Sequence, residues 1–297
     1  MTKNTIKFDY NFEPLFGKAV ELSPLVRRIT CNNPSPFTFK GTNTFIVGRG
    51  TVAVVDPGPD DEVHLAALLN AVRGETVSHI LVTHTHMDHS PLAAKLKAVT
   101  GANTYSAISP PKSTMVPHIR LDASVDHGFM PDVSLSEGDI VEGKSWALEA
   151  VFTPGHMANH VSFCLNAEKA LLAGDHVMAW ATTVVAPPDG NMNDYMGSLR
   201  KLLKRDEVIY YPAHGPESTK PRALVRAILA HRKMREEAIF NRVKSGDHKV
   251  EDIVANIYAD VDPRLHSAAG LSTLAHLEHL LEKGRIEQQN GWYFSRK

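Results

Sequence analysis

The sequence predicts an α/β fold of layered sheets with helices outside and a site built at one sheet edge, extended by a small winged-helix-like tail. Three observations carry this expectation. Up to about residue 212, short β-rich runs alternate with helical stretches. Several of those runs end in a loop bearing His or Asp. From Lys220 onward long helical stretches lead into a terminal hairpin signature.

Taken in order, "TNTFIVG" and "TVAVVDPG" flank Arg49-Gly50 and read as a hairpin. "HILVT" is a short buried strand by its apolar, β-branched content. After it, Ser90 is expected to cap a helix with Pro91 at its first position, with Leu92, Leu96 and Val99 at helical spacing up to Gly101. "WALEAVFTP", "HVSFCL", "KALLAGD" and "DEVIYYPAHG" read as further strands. In the tail, "PRALVRAILAHRKMREEAIFNRV", "KVEDIVANIYAD" and "LSTLAHLEHLLEKG" read as helices, the last with Leu271, Leu274, Leu277 and Leu281 for a core. Asn290-Gly291 in "RIEQQNGWYF" signals a tight hairpin. Residues 219–297 hold 14 Lys/Arg against 10 Asp/Glu, whereas the first 218 hold 18 against 23. That shift places the expected boundary between a catalytic unit, 1–218, and the tail, 219–297.

Composition bounds the function classes. A chain of 297 residues with 43% hydrophobic and 22% charged residues is an ordinary globular protein with a sizeable core. A net charge of −1 predicts no overall attraction to nucleic acid or membrane. The first twenty residues have no apolar h-region and carry Asp9 and Glu13, so neither a secretory signal nor a transit peptide is expected. No run approaches the roughly 20 apolar residues that span a bilayer. Cys31 and Cys164 stand far apart and outside any C-x-x-C pair, which excludes a disulfide framework or thiolate zinc knot and fits the cytoplasm. Sixteen histidines are the one oddity.

Their placement carries the chemistry. "LVTHTHMDHS" gathers His84, His86, Asp88 and His89 directly after an apolar run. Four more acid or imidazole groups sit at strand ends: Asp56 in "VVDPGP", His156 in "TPGHMANH", Asp175 in "LLAGDH" and His214 in "YPAHGP". Gly or Pro lies close to each, as sharp turns that bring ligands together require. Neutral imidazole and carboxylate suit Zn²⁺ where no thiolate is available. Seven ligands divided between two ions, one carboxylate shared, give each metal four protein contacts and leave room for a bridging water.

H-x-H-x-D-H after a strand, followed by distant His, Asp and His in that order, resembles the metallo-β-lactamase superfamily. The resemblance implies a four-layer αββα sandwich. It implies that His84, His86 and His156 hold one metal and that Asp88, His89 and His214 hold the second, with Asp175 bridging. Asp56 matches the family's first acidic motif, an organiser of ligands. "GTNTF", "DYMGSL", "HGP" and "HRKMREEAI" resemble the β-lactamase-like protein 2 branch, which carries a C-terminal winged helix. Two Zn²⁺ ions bridged by a water would make hydroxide available at pH 7, with Asp88 orienting that water or taking its proton. His/Asp ligands also accept Mn²⁺ or Fe²⁺.

This machinery names hydrolysis and leaves the substrate open. A small ester or thioester and single-stranded RNA both fit the ligand set. The alternative is a mononuclear iron redox enzyme of the persulfide dioxygenase type, against which the full seven-ligand set argues. The bridging carboxylate disfavours a true β-lactamase. Lys220 to Lys244 holds eight Lys/Arg and two Glu, which reads either as a phosphate-binding face or as a solvated face with i, i+4 pairs. The last helix shows His276, Glu278, His279 and Glu282 on its polar side, which disfavours sequence-specific DNA reading; pairing of the tail into a homodimer stays open. Tyr195 is a candidate substrate contact or a core residue. Met178, Trp180 and Met192 are candidate pocket walls. His160 is expected to brace a strand or a ligand, His176 to pack, and His118 and His127 to be exposed or capping.

Overall fold

A computed structural model describes residues 6–108, 125–259 and 266–296. Seven strands form the first sheet in sequence order: β1 (Val20–Glu21), β2 (Val26–Thr30), β3 (Asn43–Arg49), β4 (Thr51–Val55), β5 (Thr76–Leu81), β6 (Asn103–Ser106) and β7 (Val133–Ser134). The pairs from β1 to β4 are antiparallel and those from β4 to β7 parallel. Helices α1 (Glu62–Ala71) and α2 (Leu92–Thr100) make the parallel crossovers. The second sheet comprises β8 (Ile140–Glu142), β9 (Ala147–Phe152), β10 (Val161–Leu165), β11 (Ala170–Gly174) and β12 (Ile209–Pro212), antiparallel except for the β11–β12 pair. Helix α3 (Met192–Leu202) joins its last two strands. The tail consists of α4 (Pro221–Lys244), α5 (Val250–Ile257), α6 (His266–Glu282) and the hairpin β13 (Ile286–Gln289) to β14 (Trp292–Ser295).

Period-2 alternation in near-continuous apolar strands builds the four layers. Phe45, Val47, Ala53 and Val55 point between the sheets, where Leu148, Phe163, Leu165 and Leu172 meet them. The intervening Ile46, Val52 and Val54 point outward onto Leu65 and Leu68 of α1 and Leu92 and Leu96 of α2. On the far side Val151, Cys164, Leu171 and Tyr210 meet Tyr195, Met196 and Leu199 of α3 and Val225 and Ile228 of α4. The architecture is therefore the expected αββα sandwich. No helix among the described residues is long and apolar enough to cross a membrane.

One sequence expectation changes. Ser90 does not cap α2: its hydroxyl donates to Asp126 at 2.7 Å, and the helix follows Pro91 without a side-chain cap. Along α4 the buried side chains pass from one core to the other. Val225, Ile228 and Leu229 belong to the sandwich, whereas Ile239 and Val243 join Ile253, Leu277, Leu280 and Tyr293 in the tail. One continuous helix thus ties the two units rigidly. The predicted Asn290-Gly291 hairpin is present, with φ of 52° and 82° at the two turn residues.

Candidate metal centre

The carboxyl ends of parallel strands form one rim, the place where open α/β sheets collect their functional groups. Asp56 follows β4, the run from His84 to His89 follows β5, Asp175 follows β11 and His214 follows β12. His156 lies in the turn after β9. Asn43 draws the two sheets together at this rim: its backbone N–H donates to Ala213 O at 2.7 Å and its amide to Pro212 O at 3.1 Å and Gly215 O at 3.0 Å.

All seven sequence-predicted ligand residues are brought together, in two groups. Donor atoms of His84, His86, His156 and Asp175 lie within 4.8 Å of one another, as do those of Asp88, His89 and His214. Asp175 faces both groups. Its Oδ2 stands 3.6 Å from His156 Nε2, and its Oδ1 stands 3.2 Å from His214 Nε2 and 3.7 Å from His89 Nε2. Asp88 Oδ2 stands 3.2 Å from His214 Nε2 and 3.3 Å from His89 Nε2.

The outward nitrogens are already spoken for, which fixes which lone pairs face inward. Thr83 Oγ donates to Asp56 at 2.8 Å, so it accepts from His84 Nδ1 at 3.0 Å. His156 Nδ1 donates to Val184 O at 2.6 Å, His214 Nδ1 to Gly41 O at 3.3 Å, and His89 Nδ1 to Asp56 at 3.0 Å. Inside, His86 Nδ1 stands 2.9 Å from His84 Nε2 and 3.0 Å from His156 Nε2. Three ring nitrogens converge there where one proton can satisfy only one contact, and His89 Nε2 and Asp175 Oδ1 are buried with no hydrogen-bond partner. Converging lone pairs beside ionised carboxylates are what divalent cations require, so these residues fit two such ions.

The electrostatics agree. Burial holds His84 and His156 below the usual histidine range and pushes His86 down to about 3, leaving neutral imidazoles. Burial also works against charge on His89 and His214, but Asp88 and Asp175 outweigh it for both, raising His214 to about 10. Reciprocally, His89 and His214 hold Asp88 and Asp175 below the carboxylate range despite burial.

Four residues support these groups; the sequence pointed to Asp56 and His160, while the roles of Gly174 and Thr183 emerge from the structure. Asp56, with φ of 50°, accepts the Thr83 N–H at 2.7 Å as well as the two bonds already named. His160, as expected, braces a ligand: it accepts the Asp175 N–H on Nε2 at 3.1 Å, with Nδ1 2.8 Å from Thr153 Oγ. Gly174, at φ of 52°, makes room for that ring, since a Cβ there would stand 2.5 Å from His160 Nε2. Thr183 donates to the Asp175 carbonyl at 2.6 Å, and its own carbonyl receives the guanidinium of buried Arg232. The tail's first helix thereby reaches the loop that positions Asp175 and His156.

A cleft of about 420 Å³ opens over the centre. Met178, Trp180, Met157, Val184, Pro187 and Leu271 wall it, and His86, Asp88, His156, Asp175 and His214 form its polar end. Tyr195 does not reach it. The ring is fully buried in the outer core and its hydroxyl donates to His176 O at 3.0 Å, so the substrate-contact reading of Tyr195 is corrected to a packing role. Met192 is likewise core, His176 packs on Tyr195 with ring centroids 4.8 Å apart, and His127 is exposed. His118 lies outside the described residues. Leu271, expected in the tail's core, lines the cleft instead.

The family profile of the Metallo-beta-lactamase superfamily matches residues 37–214, which contain this whole constellation. The chain belongs to the metallo-beta-lactamase superfamily. A second profile, the beta-lactamase associated winged helix domain, matches residues 250–292. This superfamily member is 31% identical over 272 residues to a beta-lactamase-like protein 2 homolog of Caenorhabditis elegans, covering 90% of this chain and 88% of that one. It is 28% identical to an atrochrysone carboxyl ACP thioesterase of Claviceps purpurea, covering 81% and 74%. A beta-lactamase domain protein of Burkholderia ambifaria superposes with a TM-score of 0.79 over 97% of each chain at 21% identity, a likeness of fold. The superfamily member is a metal-dependent hydrolase by this kinship, with a His/Asp cluster able to bind metal ions.

Proposed function

We propose that this chain is a binuclear metallohydrolase, with zinc as the ion its His/Asp ligands suit best, acting on a small ester or thioester with an apolar acyl group. His84, His86 and His156 would hold one ion, Asp88, His89 and His214 the other, and Asp175 both. Such a pair supplies an acidified water, hydroxide near neutral pH, and an electrophile for the acyl carbonyl oxygen. Asp88, whose side chain borders the cleft, would orient that water and take its proton. The apolar walls bind the acyl group and exclude bulk water from the reacting end.

The observation that carries the substrate class is the cleft lining. Among the described residues that line it, none is Lys or Arg, and the charged ones are Asp88, Asp175 and Asp189. With Asp88 and Asp175 engaged as ligands, the flanking phosphates of an RNA strand would meet Asp189 and no Lys or Arg among the described lining residues, whereas an uncharged acyl chain meets apolar walls. The basic helix gives RNA little support. Arg232 is buried against Thr183, Arg235 lies 4.3 Å over the Tyr258 ring and Arg242 pairs with Asp247 at 2.6 Å, so three of the helix's cations are engaged within the chain, and none of its residues lines the cleft. The tightly built second group argues for two ions over one iron.

The test is turnover of acetyl to decanoyl thioesters of N-acetylcysteamine, alongside a labelled single-stranded RNA, by protein holding two zinc ions per chain. Thioester hydrolysis lost in Asp175→Ala is the expected result. RNA cleavage by the wild type and not by Asp175→Ala, with no thioester turnover, would overturn the reading.

A further inference from the structure

Among the described residues, the winged-helix domain contributes one side chain to the cleft. Leu271 lies in the N-terminal half of α6, is 3% exposed, and is the single residue beyond His214 among those that line the cleft. One turn later Ala275 enters the core shared with Tyr195 and Leu199, while Leu277 and Leu280 anchor the same helix in the tail's own core. Across the helix gap Asn191, the cap of α3, donates to Glu282 at 3.4 Å. Leu271 is thus carried on a helix fixed at both its faces, and cannot swing out of the cleft without moving the whole tail.

Apolar side chains make up most of the rest of the cleft wall. Trp180 stacks on Phe39 with ring centroids 4.8 Å apart and planes 14° from parallel. At the edge of that stack a Cβ at Gly215 would stand 2.6 Å from Trp180 Cδ1 and 3.5 Å from Phe39 Cδ1, so the backbone of residue 215 comes close against the pair. Trp180, stacked on Phe39 and approached closely by the backbone at residue 215, forms one wall of the cleft. Met178 beside it has the soft, adaptable side chain that fills irregular gaps. The volume of about 420 Å³ corresponds to roughly a dozen water-sized groups, enough for a medium-length or aromatic acyl chain. Leu271 stands in this space as the one element that belongs to a different domain.

We propose that Leu271 is a specificity-determining residue: with Trp180 and Met178 it closes the acyl end of the cleft and sets the length and bulk of the acyl group that fits. This rests on the acyl-hydrolase reading above. The catalytic sandwich supplies the metal end and two walls, and the tail supplies the stop. Truncation at position 271 deepens the chamber, and enlargement shortens it. One methylene in an apolar pocket is worth about 10- to 200-fold in discrimination, so a change of several carbon atoms is readily measured.

The experiment compares Leu271→Ala and Leu271→Trp with the wild type. The first readout is the ratio of kcat/KM for decanoyl to acetyl thioesters. It is expected to rise about tenfold or more in Leu271→Ala and to fall about tenfold or more in Leu271→Trp. The second readout needs no turnover: binding of ethyl to decyl thioethers of N-acetylcysteamine, followed by Trp180 fluorescence with Trp180→Phe as the reference. The decyl thioether is expected to bind about tenfold tighter to Leu271→Ala than to Leu271→Trp. Leu277→Ala, which weakens the tail's core without touching the cleft, is the folding control and is expected to keep the wild-type ratio. Wild-type chain-length profiles in both Leu271 variants, in turnover and in thioether binding, would overturn the proposal. So would an equal shift in Leu277→Ala. If no thioester is hydrolysed at all, the acyl-hydrolase reading fails, and the thioether series still decides whether Leu271 gauges the chamber.

Discussion

Removing the Asp56 carboxylate is the sharpest test of how the metal rim is held. Asp56 is 2% exposed and accepts three hydrogen bonds: from the Thr83 N–H at 2.7 Å, from the Thr83 hydroxyl at 2.8 Å and from His89 Nδ1 at 3.0 Å. Asp56→Ala leaves three donors buried. Each such group costs about 1–3 kcal/mol, the hydroxyl least because it can turn to another acceptor. The φ of 50° adds strain, since alanine tolerates the left-handed region less well than aspartate. The expected loss is about 4 kcal/mol. At roughly 2–4 °C per kcal/mol for a unit of this size, the melting temperature should fall by about 10 °C. Asp56→Asn keeps the shape and the backbone tolerance while exchanging one acceptor oxygen for a donor, and should lose about half as much. The measurement is calorimetric melting in chelator, followed by zinc titration. In that titration the freed His89 ring should weaken the Asp88–His89–His214 group by about 10- to 100-fold. A melting point within 3 °C of wild type, with undiminished zinc affinity, would refute the claim that Asp56 organises Thr83 and His89.

Other consequences follow from the same geometry. Gly174→Ala drives a Cβ to 2.5 Å from His160 Nε2 at a left-handed residue; it should release the Asp175 N–H and lower zinc stoichiometry below two, which elemental analysis reads. Arg232→Met keeps the length of the side chain but loses the donor to Thr183 O; zinc retention in a chelator competition should drop about tenfold while circular dichroism stays native. Burial depresses the His64 pKa to about 4 from 6.5. Thr44 gives its proton to Asp56 O, so His64 donates to Thr44 from Nε2, and Nδ1 is buried without a partner. Unfolded chains therefore take up a proton that the folded one refuses, and stability falls as pH drops from 6.5 toward 4. Urea midpoints of metal-free protein at pH 7 and 5 should show His64→Gln losing about 2 kcal/mol less than wild type; equal losses would contradict the burial argument. Burial likewise raises Cys31 and Cys164 to about 12, so iodoacetamide at pH 8 should label neither thiol until the protein is denatured.

How much of this was legible beforehand follows from the range of the forces involved. The strands β3, β4, β5, β9, β10, β11 and β12 were readable because buried strands show themselves as local apolar runs, and the β13–β14 turn because Asn-Gly suits two residues with positive φ. The short edge strands β1, β7 and β8 carry two or three residues each and no such run, so they left no signal. The ligand groups were legible because each lies at a strand end beside Gly or Pro, and strand ends on one rim must converge. Ser90 misled because its hydroxyl had a tertiary competitor, Asp126, that helix-capping rules do not see.

The sequence by itself determined the layered α/β class, the helical tail with its hairpin, and the eight acid and imidazole groups of the metal rim, because strand periodicity and turn chemistry act within a few residues. Tertiary structure alone decided the rest. Asp175 faces both ligand groups because β11 and β12 pair in parallel across the crossover of residues 175–208. Tyr195 is core and Leu271 is cleft because α3 packs on the outer face of the second sheet whereas α6 packs on α3 and α4. Arg232 serves the rim because α4 runs unbroken through both cores. Contacts between residues this far apart in the chain are set by how whole layers stack, and no local pattern records which face of a helix the neighbouring layer will meet.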